Sequence, residues 1–174
     1  MGGTKVRVMK VVFPGSFDPP TSGHLDLLRR SVALFDEVHV VLGRNVNKVP
    51  FLPIEVRLEM LQKLIEAEGL AGRALVRVWD GPVVEYALAN GCKALVRCIR
   101  NEEDLPFEQA MASMNLRLSA SSSASIETLF LMVNKEYADV SSSAVRELVA
   151  LKRLPNGVVP EIVRKELERR FGAL

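Results

Sequence analysis

The sequence predicts an α/β protein, a Rossmann-like doubly wound sheet of about five parallel strands with helices on both faces and further helices at the C-terminus. Short apolar, β-branched runs alternate with stretches of helical spacing in the order βαβαβα. The apolar runs carry too few polar positions to alternate, as strands buried on both faces require. The chain has 174 residues, 48% of them hydrophobic and 25% charged, enough for one domain, residues 1–174, with a substantial core.

Val6, Val8, Met9, Val11, Val12 and Phe13 form the first apolar run. A turn-rich segment from Phe13 to Asp26 follows, and Leu25, Leu28, Val32 and Phe35 then recur at helical spacing, placing His24 at or just inside a helix N-terminus. Val38 to Leu42 reads as the second strand, ending at Gly43. Pro53 opens a helix with Leu58, Leu61 and Ile65 on one face, which Gly69 closes. Ala74 to Trp79 is the third strand, Pro82 to Asn90 a short helix capped by Gly91, and Ala94 to Val96 the centre of the fourth strand.

Asp104-Leu105-Pro106 marks the next helix start, and the stripe Phe107, Met111, Met114 and Leu118 is expected to face the core. The serine-rich stretch Ser119 to Ser125 reads as a mobile loop, and Thr128 to Val133 as a fifth buried strand. Ser141 to Ser143 cap one helix and Pro160 starts the last. No internal repeat or linker divides the chain.

A formal charge of +2 makes no general case for nucleic-acid binding, and the basic C-terminal run alternates with acids as a solvated helix face does. Cys92 and Cys98 lack metal-ligand or redox spacing and read as buried thiols. No apolar stretch is long enough for a membrane span, and Lys5, Arg7 and Lys10 interrupt any signal-peptide core, so a cytoplasmic location is expected.

In open α/β sheets ligands bind outside the carboxyl ends of the strands. The segments Pro14–His24, Gly43–Lys48, Arg97–Arg100 and Asn134–Ser143 would bring His24, Lys48, Arg97, Arg100 and a serine cluster to that edge, with few acids beside them. A polyanion is the natural occupant. A histidine at a helix N-terminus can donate to phosphate oxygens where backbone amides and the helix dipole already favour anions. Gly15 and Gly23 suit unusual backbone conformations or the close approach of a ligand, although ordinary turn chemistry also explains them. Neither G-x-G-x-x-G nor G-x-x-x-x-G-K-[ST] occurs.

These residues resemble the bacterial phosphopantetheine adenylyltransferases, nucleotidyltransferases with a [HT]-x-G-H motif. Pro14-Gly15-Ser16-Phe17-Asp18-Pro19 followed by Thr21-Ser22-Gly23-His24 is similar to P-G-[ST]-F-D-P-x-T-x-G-H. Arg97-Cys98-Ile99-Arg100 is similar to R-G-x-R, Met114-Asn115 and Phe130-Leu131-Met132 to later family blocks, and Val140 to Ser143 to I-S-S-S. Thr21, in place of a first histidine, favours this family over its nicotinamide-nucleotide relatives.

The resemblance implies transfer of the adenylyl group of ATP to 4′-phosphopantetheine, giving dephospho-CoA and pyrophosphate, with Mg2+ as cofactor and a homohexameric assembly. It implies catalytic roles for His24, Lys48 and Arg100. ATP would be bound by Ser16, Phe17, His24, Cys98, Ile99, Arg100, Glu108 and the segment Tyr137, Ala138, Asp139, Val140, Ser141, Ser142 and Ser143. Phosphopantetheine would be bound by Ser16, Lys48, Val83 and Arg97. No side chain is implied as a metal ligand.

Taken singly, these residues have ordinary readings: Arg97 and Lys48 as surface cations, Ser141 to Ser143 as a helix cap, and Asp18 and Asp26 as caps or turn acceptors rather than general bases. His39 reads as structural. Their joint occurrence in family order outweighs those readings. Cys98 stands where the family has glycine, Phe107 replaces a tyrosine and Tyr137 a tryptophan. Cys98 as a nucleophile has no task when the attacking group is already a phosphate anion. A cytidylyl- or nicotinamide-nucleotide transferase and a non-catalytic nucleotide or coenzyme A sensor are the competing readings.

Overall fold

The structure, a computed structural model, describes residues 8–43, 49–120 and 125–174. Five parallel strands, β1 (Lys10–Gly15), β2 (Glu37–Gly43), β3 (Ala74–Trp79), β4 (Ala94–Ile99) and β5 (Glu127–Met132), lie in the order β3-β2-β1-β4-β5. The helices are α1 (Ser22–Leu34), α2 (Ile54–Ala67), α3 (Val83–Ala89), α4 (Asp104–Ser119), α5 (Ser142–Ala150) and α6 (Glu161–Phe171). A short 3-10 turn spans Lys135–Tyr137.

Successive strand residues point to opposite faces, and the core divides accordingly. Val11, Phe13, Val38, Val40 and Val96 face a large layer built with α1, α2, α5 and α6. Val12, Val41 and Leu95 face a smaller layer around Val84 and Ala87 of α3. The sheet is therefore doubly wound, as the continuous apolar runs predict. His39 is structural: it is buried between Tyr86 Oη at 2.9 Å and Glu37 Oε1 at 2.6 Å.

Several expectations are corrected. The first strand begins at Lys10, and Val8 and Met9 are exposed before it, because parallel pairing with β2 starts at Lys10–Glu37. Arg97 lies within β4 rather than after it. The methionine stripe is not core: Phe107 is 64% exposed and Met114 52%, since no element among the described residues covers that side of α4. β5 is an edge strand, with Met132 59% exposed, so it is not buried on both faces. Ser119 ends α4 and is fully buried, its Oγ donating to the Leu116 carbonyl and accepting from the Ile126 amide. Of the expected serine-rich loop Ser119 to Ser125, residues 121–124 lie outside the described residues.

Candidate active site

The sheet order reverses between β1 and β4, the point at which an open α/β sheet forms its ligand crevice. β1 pairs with β2 from Lys10–Glu37 to Gly15–Leu42, but with β4 only at Val11–Ala94 and Val12–Leu95. Toward their carboxyl ends the two strands part, and the Arg97 side chain spans the gap, its Nη1 3.5 Å from the Pro14 carbonyl.

His24 enters the crevice on the first turn of α1. Thr21 is the N-cap, and the two residues form a capping box in which histidine stands in the usual place of glutamate. The Thr21 backbone N–H donates to His24 Nδ1 at 3.0 Å, and the Thr21 hydroxyl lies 2.8 Å from the same nitrogen. An amide can only donate, so Nδ1 is the acceptor and the neutral ring carries its proton on Nε2. Burial, and then the charge of Arg100, lower the His24 pKa to about 4. At neutral pH the ring is thus an uncharged donor fixed in one tautomer.

The two arginines of β4 and its exit do not stand free, against the expectation of few acids at this edge. Glu108 of α4, itself buried, takes Arg97 Nε at 2.7 Å and Nη2 at 2.6 Å. Burial works to lower the Arg97 pKa, but the Glu108 carboxylate outweighs it and the net shift is upward. Asp104 takes Arg100 Nε at 2.9 Å and Nη2 at 2.7 Å, which raises the arginine and holds the carboxyl below its ordinary range. Burial pushes the Cys98 thiol up, keeping it protonated and unreactive at neutral pH.

A cleft of about 160 Å3 collects His24, Cys98, Arg100, Glu108, Val140, Ser141 and Ser142 of the expected residues, together with Asp104. The other expected residues lie off this lining. Ser16 is exposed on the turn after β1, and Phe17 is buried, with φ of +47° and its ring edge-on to His24 at 5.0 Å. The Ile99 side chain is in the core. Tyr137, Ala138 and Asp139 form the connection beside the cleft. Ser143 Oγ accepts from Arg146 at 2.9 Å. Val83 opens α3 and packs on the smaller core layer. Lys48 lies outside the described residues.

Gly15 and Gly23 serve by their size, since neither has positive φ. A side chain on Gly15 would stand 3.0 Å from the Phe17 ring, and one on Gly23 3.3 Å from Tyr137 Cβ. The serine cluster is also partly engaged within the protein: Ser141 Oγ caps the Ala144 amide at 3.1 Å, and Ser142 Oγ donates to the Pro19 carbonyl at 2.8 Å.

Sequence reading passed over the contribution of Asp104, though its i, i+4 spacing from Arg100 is legible. It also passed over Arg57, whose place in the buried stripe with Met60, Leu61 and Leu64 marks a buried charge on α2. Asp18 and Asp26 act as hydrogen-bond acceptors, as the turn and cap reading expects: Asp18 takes the Phe51 and Leu52 amides at 2.8 and 2.9 Å, and Asp26 takes Asn134 Nδ2 at 2.9 Å.

Residues 12–148 match the cytidylyltransferase-like family model. The chain is 40% identical over 164 residues to the phosphopantetheine adenylyltransferase of Symbiobacterium thermophilum, covering 94% of this chain and 97% of that one. It is 37% identical over 161 residues to the phosphopantetheine adenylyltransferase of Desulforamulus reducens, covering 92% and 96%. Among solved structures, a putative nicotinate-nucleotide adenylyltransferase from Vibrio parahaemolyticus superposes with a TM-score of 0.61 over 95% of this chain and 94% of that one. Its 17% identity makes this a likeness of fold.

Proposed function

The chain belongs to the cytidylyltransferase-like family, among its phosphopantetheine adenylyltransferases, and from that membership we propose how its crevice transfers the adenylyl group of ATP to 4′-phosphopantetheine. The products are dephospho-CoA and pyrophosphate, in coenzyme A biosynthesis. The observation that carries the site assignment is the convergence of His24 and Arg100 on one cleft where β1 and β4 part.

An oxygen of the 4′-phosphate attacks the α-phosphorus, the bond to the bridging oxygen breaks, and pyrophosphate leaves with the electron pair. No proton must move, so positioning and charge stabilisation carry the reaction. His24 Nε2–H donates to an α-phosphate oxygen as charge builds there. Asp104 engages Nε and Nη2 of Arg100, and Nη1, which takes no partner among the described residues, is directed to the β- and γ-phosphates. Glu108 holds Arg97 for the phosphate of phosphopantetheine, a role the family resemblance shares with Ser16 and with Lys48, which lies outside the described residues. Ser141 to Ser143 and the Tyr137–Val140 connection border the nucleotide, and Val83 faces the pantetheine arm.

The residues present do not fit a protein-held metal. Asp104 and Glu108 are taken by arginines, and among the described residues no group of three His, Cys, Asp or Glu could hold an ion. Magnesium is proposed to arrive on the triphosphate.

A cytoplasmic setting is supported by two unpaired cysteines, and no described helix is long and apolar enough to cross a membrane. A homo-oligomer, hexameric by family resemblance, is supported by the uncovered apolar side chains of α4 and the β5 edge. Pyrophosphate release from ATP, magnesium and 4′-phosphopantetheine tests the reading. Turnover only with nicotinamide mononucleotide or only with CTP would overturn it, as would ATP binding without turnover.

A further inference from the structure

The turn from Gly15 to Pro19 is held from behind by a buried arginine that touches no part of the cleft. Arg57, on the first turn of α2, has a side chain only 6% exposed, and its Nη1 donates to the Ser16 carbonyl at 2.8 Å. Its Nε has no hydrogen-bond partner among the described residues and stands 4.0 Å from Asp18 Oδ1. Burying a guanidinium costs free energy that one carbonyl and one distant carboxylate only partly offset, so core packing gives no reason for its presence.

The peptide it grips explains it. A trans peptide is planar, with its C=O and N–H pointing in opposite directions. Fixing the Ser16 carbonyl toward α2 therefore points the Phe17 N–H away from α2, and among the described residues no acceptor takes that N–H. Phe17 holds φ at +47°, a conformation uncommon for a side-chain-bearing residue and one that needs outside support. Arg146 of α5 steadies the same turn two residues on, its Nη1 donating to the Asp18 carbonyl at 2.8 Å.

We propose that Arg57 is a positioning residue, holding the Ser16–Phe17 peptide so that the Phe17 amide is presented to a phosphate oxygen of the bound nucleotide. The inference rests on the adenylyltransferase reading of the site. It adds a residue outside the cleft whose loss is felt in nucleotide binding rather than in the fold alone.

Two measurements on the full chain test it. In wild-type protein labelled with 15N-phenylalanine, ATP with magnesium moves the Phe17 amide proton downfield; a Phe17 resonance unmoved by saturating ATP overturns the proposal, and this arm needs no variant. In steady-state assays per folded molecule, well below each melting temperature, Arg57→Met raises the KM for ATP at least tenfold. Arg57→Lys, which keeps one donor for the Ser16 carbonyl, restores it to within about threefold of wild type. A lower Tm with unchanged KM in Arg57→Met overturns the proposal, as does a KM in Arg57→Lys no better than in Arg57→Met. If Arg57→Met does not fold, a KM in Arg57→Lys more than threefold above wild type overturns it. Wild-type protein that binds ATP but makes no pyrophosphate would instead sink the adenylyltransferase reading.

Discussion

Thr21 and His24 hold each other at both ends of one short link. The Thr21 N–H donates to His24 Nδ1 at 3.0 Å, and the His24 N–H returns to Thr21 Oγ1 at 3.3 Å. A protonated ring could not accept at Nδ1, so the link and the depressed pKa support one another.

The first prediction concerns acid. With a folded pKa of about 4 against an ordinary 6.5, the unfolded chain binds the proton more tightly. The His24 contribution to stability is therefore complete above about pH 6.5 and is lost as pH falls toward 4. Titration of the imidazole resonances in free protein should show His24 protonating near pH 4. Urea midpoints of wild type should fall relative to His24→Ala between those limits. A His24 titration near the ordinary value would refute the fixed tautomer.

His24→Ala should lower kcat by roughly 10²- to 10³-fold, the cost of removing one donor from a site of developing charge. Far-UV circular dichroism should be unchanged, because the ring lies at the cleft rather than in the core. Near-normal turnover would show that another group stabilises the transition state.

Glu108→Gln should be costly twice over. It leaves the half-buried Arg97 with a neutral partner in place of two charge-assisted bonds, a loss of about 2 kcal/mol. It should also raise the KM for 4′-phosphopantetheine as Arg97 loses its fixed orientation. Chemical denaturation and substrate-dependence curves read the two effects separately. A stability loss with unchanged KM would make the pair purely structural.

The apolar side of α4 should be an interface between copies of this chain. Met111→Lys with Met114→Lys should convert an oligomer to species near the 19.2 kDa of one chain in light scattering, with the monomer's helix content intact, since both side chains are exposed in it. Oligomers that survive the double substitution would place the contact elsewhere.

The alternation of apolar runs with helical stretches, and the motif residues His24, Arg97, Arg100 and Ser141 to Ser143, were legible in the sequence. Strand and helix patterns are written in the spacing of near neighbours. Thr21 and His24 are three positions apart, so their capping box was local too. The tertiary structure alone decided the parting of β1 from β4 after Val12, the carboxylate on Arg97, the grip of Arg57 on Ser16, and the exposure of a methionine stripe that helical spacing assigned to the core. Each of these is set by a residue's partner across space, or by the lack of a covering element within the described chain. A periodic pattern marks which face of a helix is apolar, but only packing determines what covers it.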